Sequence, residues 1–378
     1  MELTREILEN VEKHRGEALE LLKTLARIPA PSNHEEKRAE FCKNWLEKQG
    51  ATGVFLDSAR NVLYPVGCTK DNPLVAFLAH MDVVFPDTEE LPLSVEDGKL
   101  KAPGIGDDTA NLAALMMAAK YIAEHKLKPK GHGLLLVMNT GEEGLGNLKG
   151  SRKIMETYGD RIREFYSLDS SSSVIVNRSV GSRRYRVEVL TEGGHSYSHF
   201  GNRNAIAYLA SMISTLYLMI PPKCGKTTYN VGTIRGGTSV NTIAQQAEML
   251  YEFRSERQEG IDAMERHFRT VLEAYRTKGI AVNAELIGER PCMGGGDPQR
   301  QRELSERAAA AVRRRCGKEP LFSAGSTDCN IPLSMGIPSV CVGCYLGGGA
   351  HTREEWIDLS SLKNGLDLVF DLILGALG

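Results

Sequence analysis

Three short runs of apolar residues lead into potential metal ligands, and this pattern constrains the fold more than any other feature of the chain. The runs are residues 74–79 before His80, 134–138 before Glu143, and 165–168 before Asp169. Short apolar runs of this kind are typical of strands that are buried within a parallel sheet. Because the carboxyl ends of such strands meet at one crevice, we expect the three side chains to lie close together.

The length and composition of the chain are those of a globular protein with two domains. Its 378 residues exceed what one hydrophobic core usually supports, and 42% of them are hydrophobic and 25% charged. The net charge is −2 and there is no long Lys/Arg block. This balance argues against nucleic acid or an anionic membrane as the main partner.

Several features indicate a cytoplasmic protein. The first six residues are polar and unlike a signal peptide, and no apolar stretch approaches the ~20 residues that a membrane span needs. The eight cysteines lack the spacing of a secreted disulfide scaffold, so we expect reduced thiols. Cys341 and Cys344 form a CxxC motif, but no second pair exists to complete a zinc ribbon.

The N-terminal fifty residues show apolar residues at helical spacing, with a break at Pro29. Ser32 and Glu35 have the spacing of a capping box, which predicts that a second helical segment begins after Ser32. This segment is expected to run to Gly50, a residue that suits the end of a helix.

The pattern of the chain changes between residues 181 and 291. Alternating and helical spacings there predict the order β-α-β-β-α-β, which is that of a ferredoxin-like α+β domain. The predicted elements are a strand at 185–189, a helix at 204–220, strands at 229–234 and 247–253, a helix at 261–275 and a strand at 280–287. We therefore expect an α/β domain, formed by 1–180 and 292–378, that is interrupted by this insertion.

Two further motifs complete a set of ligands for two metal ions. Such a site, with ions ~3.5–4 Å apart, needs a bridging carboxylate, terminal ligands and an open position for water. With two zinc ions, the carboxylates of Asp107, Glu143 and Asp169 and one bridging hydroxide would balance the four positive charges. His80 and His351 would add neutral nitrogens. We predict that His80 and Asp169 hold one ion, that Glu143 and His351 hold the other, and that Asp107 bridges them.

Three acidic residues beside these ligands have other predicted roles. Glu142 can take a proton from the attacking water and later give it to the leaving amine, as a general base and acid. Asp82 is predicted to accept the imidazole N–H of His80 and so orient the ring. Asp108 is predicted, with its neighbour, at the start of the helix 112–122, where an ordinary N-cap is the alternative role.

Six motifs occur in an order that resembles one family. They are Ala79-His80-Met81-Asp82, Pro103-Gly104-Ile105-Gly106-Asp107-Asp108, Thr140-Gly141-Glu142-Glu143, Leu168-Asp169, Gly194-His195-Ser196 and Gly349-Ala350-His351-Thr352. Over nearly its whole length the chain resembles the di-zinc hydrolase superfamily of aminoacylase, carboxypeptidase G, tripeptidase (peptidase T) and succinyl-diaminopimelate desuccinylase. The resemblance implies a zinc-peptidase-like α/β catalytic domain with an inserted lid or dimerisation domain. It also implies two zinc ions, although cobalt or manganese would suit similar ligands.

The resemblance implies further roles outside the ligand set. His195 would donate to the oxyanion of the reaction, often from the partner subunit of a homodimer. Asn241 and Arg254 match positions that contact substrate in relatives, frequently through a terminal carboxylate. Gly325 and Ser326 begin a loop, continuing to residue 328, that resembles one near the substrate pocket.

Alternative functions remain open at this point. We predict hydrolysis of short peptides, of the aminopeptidase or the carboxypeptidase type, because relatives with Asp at the position of Asp169 are often peptidases. The alternative is an N-acyl amino acid amidohydrolase that uses the same metals and base. A catalytically silent metal-binding scaffold is a third reading, against which Glu142 argues, because a metal binder needs no base. Thr109 stands where many relatives have Lys, which is expected to alter a contact or the pocket without removing a ligand.

Overall fold

The computed structural model describes residues 3–378, and these form two compact units. The first unit contains the segment ending at Ser179 together with Gly294–Gly378, and the second is Val180–Met293. The boundaries predicted from the sequence lie within two residues of these.

The first unit is built on one large sheet that is covered by helices. Its sheet strands are β1 (Phe55–Leu56), β2 (Val62–Val66), β3 (Leu74–His80), β6 (Gly133–Asn139), β7 (Ile162–Ser167), β8 (Val174–Ser179), β15 (Leu321–Gly325) and β16 (Ser339–Val342). Its helices are α1 (Arg5–Lys13), α2 (Arg15–Arg27), α3 (Glu36–Lys48), α4 (Asn111–Glu124), α5 (Lys149–Tyr158), α8 (Pro298–Cys316), α9 (Asn330–Ser334) and α10 (Leu362–Gly375). A second, small sheet contains β4 (Ser94–Glu96), β5 (Lys99–Lys101), β17 (Gly347–Gly348) and β18 (Trp356–Asp358).

The large sheet has eight strands in the order β1-β2-β6-β3-β7-β16-β8-β15. Its four central strands, β6, β3, β7 and β16, are mutually parallel. Every residue of β6 and β16 is buried, as expected for strands covered on both faces. The predicted α/β fold with buried parallel strands is therefore confirmed.

The parallel strands bring distant parts of the chain to one edge. In the register of β3 and β6, His80 lies beside Asn139, and both are the last residues of their strands. The next strand along the sheet, β7, ends at Ser167, two residues before Asp169. The segments that carry His80, Glu143 and Asp169 thus leave the sheet side by side.

Helices pack on both faces of the large sheet and form two separate clusters of buried side chains. One cluster joins Phe77 and Leu136 to α1, α2, α3, α4, α8 and α10. The other joins Leu78 and Val137 to α5 and α9. Because consecutive residues of a strand point to opposite faces, each central strand contributes to both clusters. The strand ends that carry the candidate ligands are therefore rigidly supported.

The second unit has the secondary-structure order that the sequence predicts. It contains β9 (Gly181–Leu190), β10 (Gly194–His195), α6 (Ala205–Leu216), β11 (Thr227–Gly236), β12 (Thr242–Ile243), β13 (Gln246–Ser255), α7 (Gln258–Arg276) and β14 (Ala281–Arg290). The four long strands form an antiparallel sheet in the order β11-β13-β9-β14. The short pair β10 and β12 was not predicted, because two-residue strands leave no periodic signal.

Among residues 3–378, no helix combines the length and the apolar character that crossing a bilayer requires. All eight cysteines are free thiols, and Cys341 and Cys344 are buried at the end of β16.

Gly343 allows two segments near the strand ends to approach closely. A Cβ atom on this residue would overlap the main-chain oxygen of Ser170, which follows Asp169. We predict that Gly343→Ala lowers the free energy of unfolding by about 3 kcal/mol, measured by urea denaturation, because overpacking of a close contact forces the backbone apart. Gly295→Ala is the control, since no described atom lies within 4 Å of its Cβ position. Equal stability of the two variants would contradict the prediction.

Candidate metal centre

His80 presents one ring nitrogen to the protein and the other to the candidate site. Its Nδ1 lies 3.0 Å from the main-chain oxygen of Asp82. Because a carbonyl oxygen only accepts, Nδ1 carries the proton, and Nε2 of the neutral ring is left as a lone-pair donor. This Nε2 lies 3.1 Å from Oδ1 of Asp107. Such an arrangement orients a histidine for metal binding.

The two carboxylate oxygens of Asp107 face two different histidines. Oδ1 lies 3.1 Å from Nε2 of His80, and Oδ2 lies 3.1 Å from Nε2 of His351. The same Nε2 of His351 lies 2.9 Å from Oε1 of Glu143. A carboxylate placed between two such groups has the geometry of a bridge between two ions.

Two groups of potential ligand atoms meet at the strand ends, and His80 belongs to both. The first group is His80, Asp107 and Glu143, and the second is His80, Asp108 and Asp169, with all ligand atoms of each group within 4.8 Å of one another. His351 lies outside these groups but contacts Asp107 and Glu143, so the structure brings together all five predicted ligands. It also places Asp108, considered above as an N-cap, beside Asp169.

The crowding of negative charge shows why cations suit this site. Burial, and then the charge of Asp107, raise the pKa of Asp169 to about 7. Hydrogen bonds with Asp107 and Glu143 raise the pKa of His351 to about 10. Burial by itself would lower the pKa of His80. The negative charges of Asp108 and other nearby carboxylates outweigh this effect and raise the pKa well above its ordinary value. Carboxylate oxygens and imidazole nitrogens are donors that zinc and similar divalent ions accept, so the residues present fit a metal pair.

Asp82 is fully buried, and its carboxylate holds the backbone of the segment that carries Glu142 and Glu143. Its Oδ1 accepts from the main-chain N–H of Glu142 at 3.0 Å, and its Oδ2 accepts from that of Glu143 at 2.9 Å. The hydroxyl of Ser32 donates to Oδ2 at 2.7 Å. Asp82 also faces Nδ1 of His80, with its main-chain oxygen at 3.0 Å and its carboxylate at 3.5 Å.

The role predicted for Ser32 is wrong. The helix α3 begins at Glu36, its N-cap is Glu35, and no side chain caps it. Ser32 instead contacts Asp82, as described above, and the main-chain oxygen of Glu143 at 3.3 Å. A contact between residues 111 positions apart outweighs the local capping pattern.

The helix predicted to start at the aspartate pair begins later. Residues Ile105–Ala110 form a kinked turn in which Asp107 and Asp108 have non-helical dihedral angles, and α4 starts at Asn111. Asp108 does not cap this helix through a main-chain N–H. Its carboxylate accepts from the main-chain N–H of His80 at 2.9 Å and from the side-chain amide of Asn111 at 2.7 Å.

Glu355 is a buried carboxylate that the sequence analysis did not single out. Its Oε1 accepts from the main-chain N–H groups of Gly106 and Asp107, each at 2.8 Å, and its Oε2 accepts from that of Gly104 at 3.0 Å. Burial raises its pKa to about 7. Glu355 thus connects the loop of Asp107 with the loop of His351, four residues before it.

Arg38 places a buried positive charge behind the candidate site. Its guanidinium donates to the main-chain oxygens of Met81, at 2.7 Å, and of Ile28. It also lies 3.4 Å from the hydroxyl of Thr109, which donates to the carbonyl of Gly104 at 2.6 Å. Burial lowers the pKa of Arg38 to about 10. Thr109 therefore takes part in a buried hydrogen-bond network.

The loop after Gly325 runs behind the strand ends. Gly325 is the last residue of β15, and Ser326 follows it. Three residues after Gly325, the fully buried Asp328 accepts from the side-chain amide of Asn139 at 2.6 Å. Since Asn139 lies beside His80 in the sheet register, this loop reaches the neighbourhood of the candidate ligands.

In the second unit, His195 and Asn241 lie close together. The strands β10 and β12 pair, and the main-chain N–H of Ser196 donates to the carbonyl of Asn241 at 2.9 Å. Nδ1 of His195 accepts from the main-chain N–H groups of Tyr197 and Ser198, at 3.2 and 3.3 Å. Nε2 of the exposed His195 ring therefore carries the proton in the neutral form and can act as a donor.

Arg254 is not brought to Asn241. Asn241 precedes the start of β13, whereas Arg254 lies near the end of this strand, about 27 Å further along at the usual rise per residue. The guanidinium of Arg254 is also engaged, because it donates to both carboxylate oxygens of Glu252 at 3.0 and 3.2 Å. Within this unit, Arg254 is thus separated from Asn241.

One of the missed residues left a signal in the sequence, and another did not. Arg38 is four residues from Cys42 and eight from Leu46, so helical spacing places it on the buried face of α3. By contrast, Glu354 and Glu355 are adjacent acids, and only the course of the chain into β18 decides that the first is exposed and the second buried.

The comparisons with known proteins agree with this geometry. The model described as "Peptidase family M20/M25/M40" matches residues 76–375. The uncharacterized protein YqjE of Bacillus subtilis (strain 168) is 27% identical over 377 residues, covering 94% of this chain and 97% of that protein. A succinyl-diaminopimelate desuccinylase of Alkalilimnicola ehrlichii is 26% identical over 330 residues, covering 81% and 85%. The solved structure of a tripeptidase from Staphylococcus aureus has a TM-score of 0.75 at 22% identity, covering 96% of this chain and 98% of that chain.

The three bonds accepted by Asp82 lead to a stability prediction. In Asp82→Asn, an amide group replaces one acceptor and leaves a buried N–H without a partner. We expect the free energy of unfolding of the metal-free protein to fall by about 2 kcal/mol in urea denaturation. The exposed Asp71→Asn makes the same chemical change at the surface and should leave the stability unchanged within about 0.5 kcal/mol. Equal stability of the two variants would show that the Asp82 contacts do not stabilise the fold.

Proposed function

Because this chain belongs to peptidase family M20/M25/M40, a family of metal-dependent hydrolases of amide bonds, we propose that it is a di-zinc hydrolase of short peptides. His80 and Asp169 would hold one ion, Glu143 and His351 would hold the other, and Asp107 would bridge them. The observation that carries this assignment is the position of Asp107, whose two oxygens lie 3.1 Å from the Nε2 atoms of different histidines.

In the proposed reaction, Glu142 moves the protons. When bound, the two ions would polarise the scissile carbonyl and make a water molecule more acidic. Glu142 takes a proton from the attacking water and gives it to the leaving amine. This proton transfer needs a carboxylate that lies beside the ions but is not a ligand of either. Its main-chain N–H is held by Asp82, the same carboxylate that holds Glu143. Because Asp82 holds both residues, it supports the proposal that the base Glu142 keeps a constant position relative to the neighbouring ligand Glu143.

His195 is the proposed donor to the developing oxyanion. Two main-chain N–H groups occupy its Nδ1, which supports a neutral ring with the proton on Nε2. A neutral N–H donor suits an oxyanion because it stabilises the charge without being consumed as an acid. Asn241, which adjoins His195, and the loop that begins with Gly325 and Ser326 are the proposed substrate contacts. Arg254, whose guanidinium is paired with Glu252, is a further proposed substrate contact.

Peptides are the proposed substrates, with N-acyl amino acids as the second candidate class. The relative from Staphylococcus aureus is described as a tripeptidase, and the one from Alkalilimnicola ehrlichii as a succinyl-diaminopimelate desuccinylase. Both reactions break an amide bond, so the metal pair and the base serve either one. Asp169 favours the peptidase reading, as the resemblance implies.

A hydrolysis screen tests this proposal. Zinc-loaded protein is incubated with free di- and tripeptides and, separately, with N-acetyl and N-succinyl amino acids, and the products are identified by mass spectrometry. We expect cleavage of peptides, and the fragments show whether the enzyme is an aminopeptidase or a carboxypeptidase. Cleavage of acyl amino acids alone would assign the chain to the amidohydrolases.

Glu142→Ala tests the mechanism in the same screen. Removing a general base lowers turnover by about 10²- to 10⁴-fold, while the zinc content should stay at two ions per chain because Glu142 is not a proposed ligand. The control is Glu89→Ala, an exposed acid outside the proposed site, which should retain full turnover. Undiminished turnover in Glu142→Ala would eliminate the proposed base, and lost zinc would make Glu142 a ligand.

We further propose a cytoplasmic homodimer that forms through the second unit. This unit exposes several large apolar side chains, and its edge strand β11 has a free side. The exposed apolar side chains of this unit include Tyr197, Phe200, Leu218, Ile220, Ile234 and Val240. Exposed apolar groups beside the open edge of a sheet are typical of a surface that joins two copies of a chain.

Sedimentation velocity tests the dimer. The protein is expected to sediment with twice its chain mass of 41.5 kDa. Ile234→Lys places a charge on β11 and should give monomers, whereas Val95→Lys, at an equally exposed site of 52% in the first unit, should leave the dimer intact. A monomeric wild-type protein would remove the dimer and any role of His195 in a partner's active site.

A further inference from the structure

We propose that Glu355 is a positioning residue that holds the bridging Asp107 at the correct place relative to His351, and so sets the affinity of one of the two metal positions. The proposal rests on the ligand set of the proposed function. It adds a residue that binds no ion itself and that acts through the backbone of the Asp107 loop.

The hydrogen bonds of Glu355 all point to one short loop. Its carboxylate accepts from three main-chain N–H groups, those of Gly104, Gly106 and Asp107, at 2.8–3.0 Å. Several backbone N–H groups that converge on one point form a cradle for an anion. Gly104 has a left-handed φ of +69°, and a Cβ on Gly106 would meet the ring of Tyr345, so the loop is shaped for this contact. The buried carboxylate fixes the main-chain nitrogen of Asp107 itself.

The main chain around Glu355 makes the same connection. The strand β5 leads into the Asp107 loop, and β18 directly follows Glu355. These two strands pair, with Trp356 opposite Lys101, and the carbonyl of Glu355 accepts from Ala102 at 3.1 Å. The side chain therefore closes a junction between two loops whose ligands, Asp107 and His351, are 244 residues apart.

The two proposed metal positions depend unequally on this junction. His80 is the last residue of a central strand, and its side chain is 1% exposed. By contrast, the side chain of His351 is 57% exposed and projects from a loop. An ion at His80 and Asp169 would thus be held from the large sheet, whereas an ion at Glu143 and His351 would need the loop geometry that Glu355 maintains. Loss of Glu355 should weaken the second ion much more than the first.

Two substitutions with graded effects separate this role from general stability. In Glu355→Gln, one oxygen can still accept from Gly106 and Asp107, but the acceptor for Gly104 is lost. In Glu355→Met, a side chain of similar length accepts from none of them. The adjacent Glu354 is exposed. Glu354→Gln and Glu354→Met therefore make the same chemical changes without altering the hydrogen bonds to the Asp107 loop.

The experiment is a calorimetric titration of each metal-free full-length protein with zinc in a competing chelator, with thermal unfolding of the metal-free forms measured alongside. We expect two ions per wild-type chain. One of the two ions, which the proposal places at Glu143 and His351, should lose affinity by about tenfold in Glu355→Gln and about 100-fold in Glu355→Met, the range found when a group that orients a ligand is removed. The other ion and both Glu354 variants should match the wild type. If Glu355→Met does not fold, Glu355→Gln carries the test.

The outcomes distinguish this inference from the proposed function. If the wild type binds two ions and both Glu355 variants bind them equally well, Glu355 has no positioning role and the metal pair stands. If both ions weaken together, or only the unfolding temperature falls, Glu355 is merely structural and the inference is wrong. A wild type that does not bind two ions overturns the proposed function, and this inference fails with it.

Discussion

The contact on which the rest of the site depends is that of Asp107 with two histidines. Its two oxygens lie 3.1 Å from Nε2 of His80 and 3.1 Å from Nε2 of His351. The Nε2 atom of His351 also lies 2.9 Å from Oε1 of Glu143. Holding several carboxylates together in a buried place is unfavourable, as the raised pKa of Asp169 shows. Divalent cations would offset this repulsion. The residues around the site form a frame that holds the negatively charged ligands in place.

The frame is built from carboxylates that are not proposed ligands. Asp82 holds the backbone at Glu142 and Glu143, Asp108 holds the backbone of His80, and Glu355 holds the loop of Asp107. Each carboxylate accepts from main-chain N–H groups, which are fixed once the chain is folded. A carboxylate is suited to this task because one group can accept several such bonds, and charged acceptors make the stronger ones. The cost is further negative charge near the site, which again favours cations.

Much of the fold could be predicted because its signals are local. The runs 74–79 and 134–138 are apolar because their strands are buried on both faces, and the order of elements in 181–291 follows from periodicity. Local signals failed where long-range contacts replaced them. The pair Ser32 and Glu35 has the spacing of a helix cap, yet the Ser32 hydroxyl contacts Asp82. Asp108 precedes a helix, yet its carboxylate holds the backbone of His80.

By itself, the sequence determined the α/β class, the inserted unit, the family, and the five side chains that meet at the strand ends. It could do so because ligand identity and strand periodicity are properties of short segments. Only the tertiary structure decided which oxygen of Asp107 faces which histidine, that Arg254 is engaged by Glu252, and that Glu355 rather than Glu354 is buried. These depend on distances between segments up to about 250 residues apart, which are set by packing and backbone hydrogen bonds and leave no local pattern.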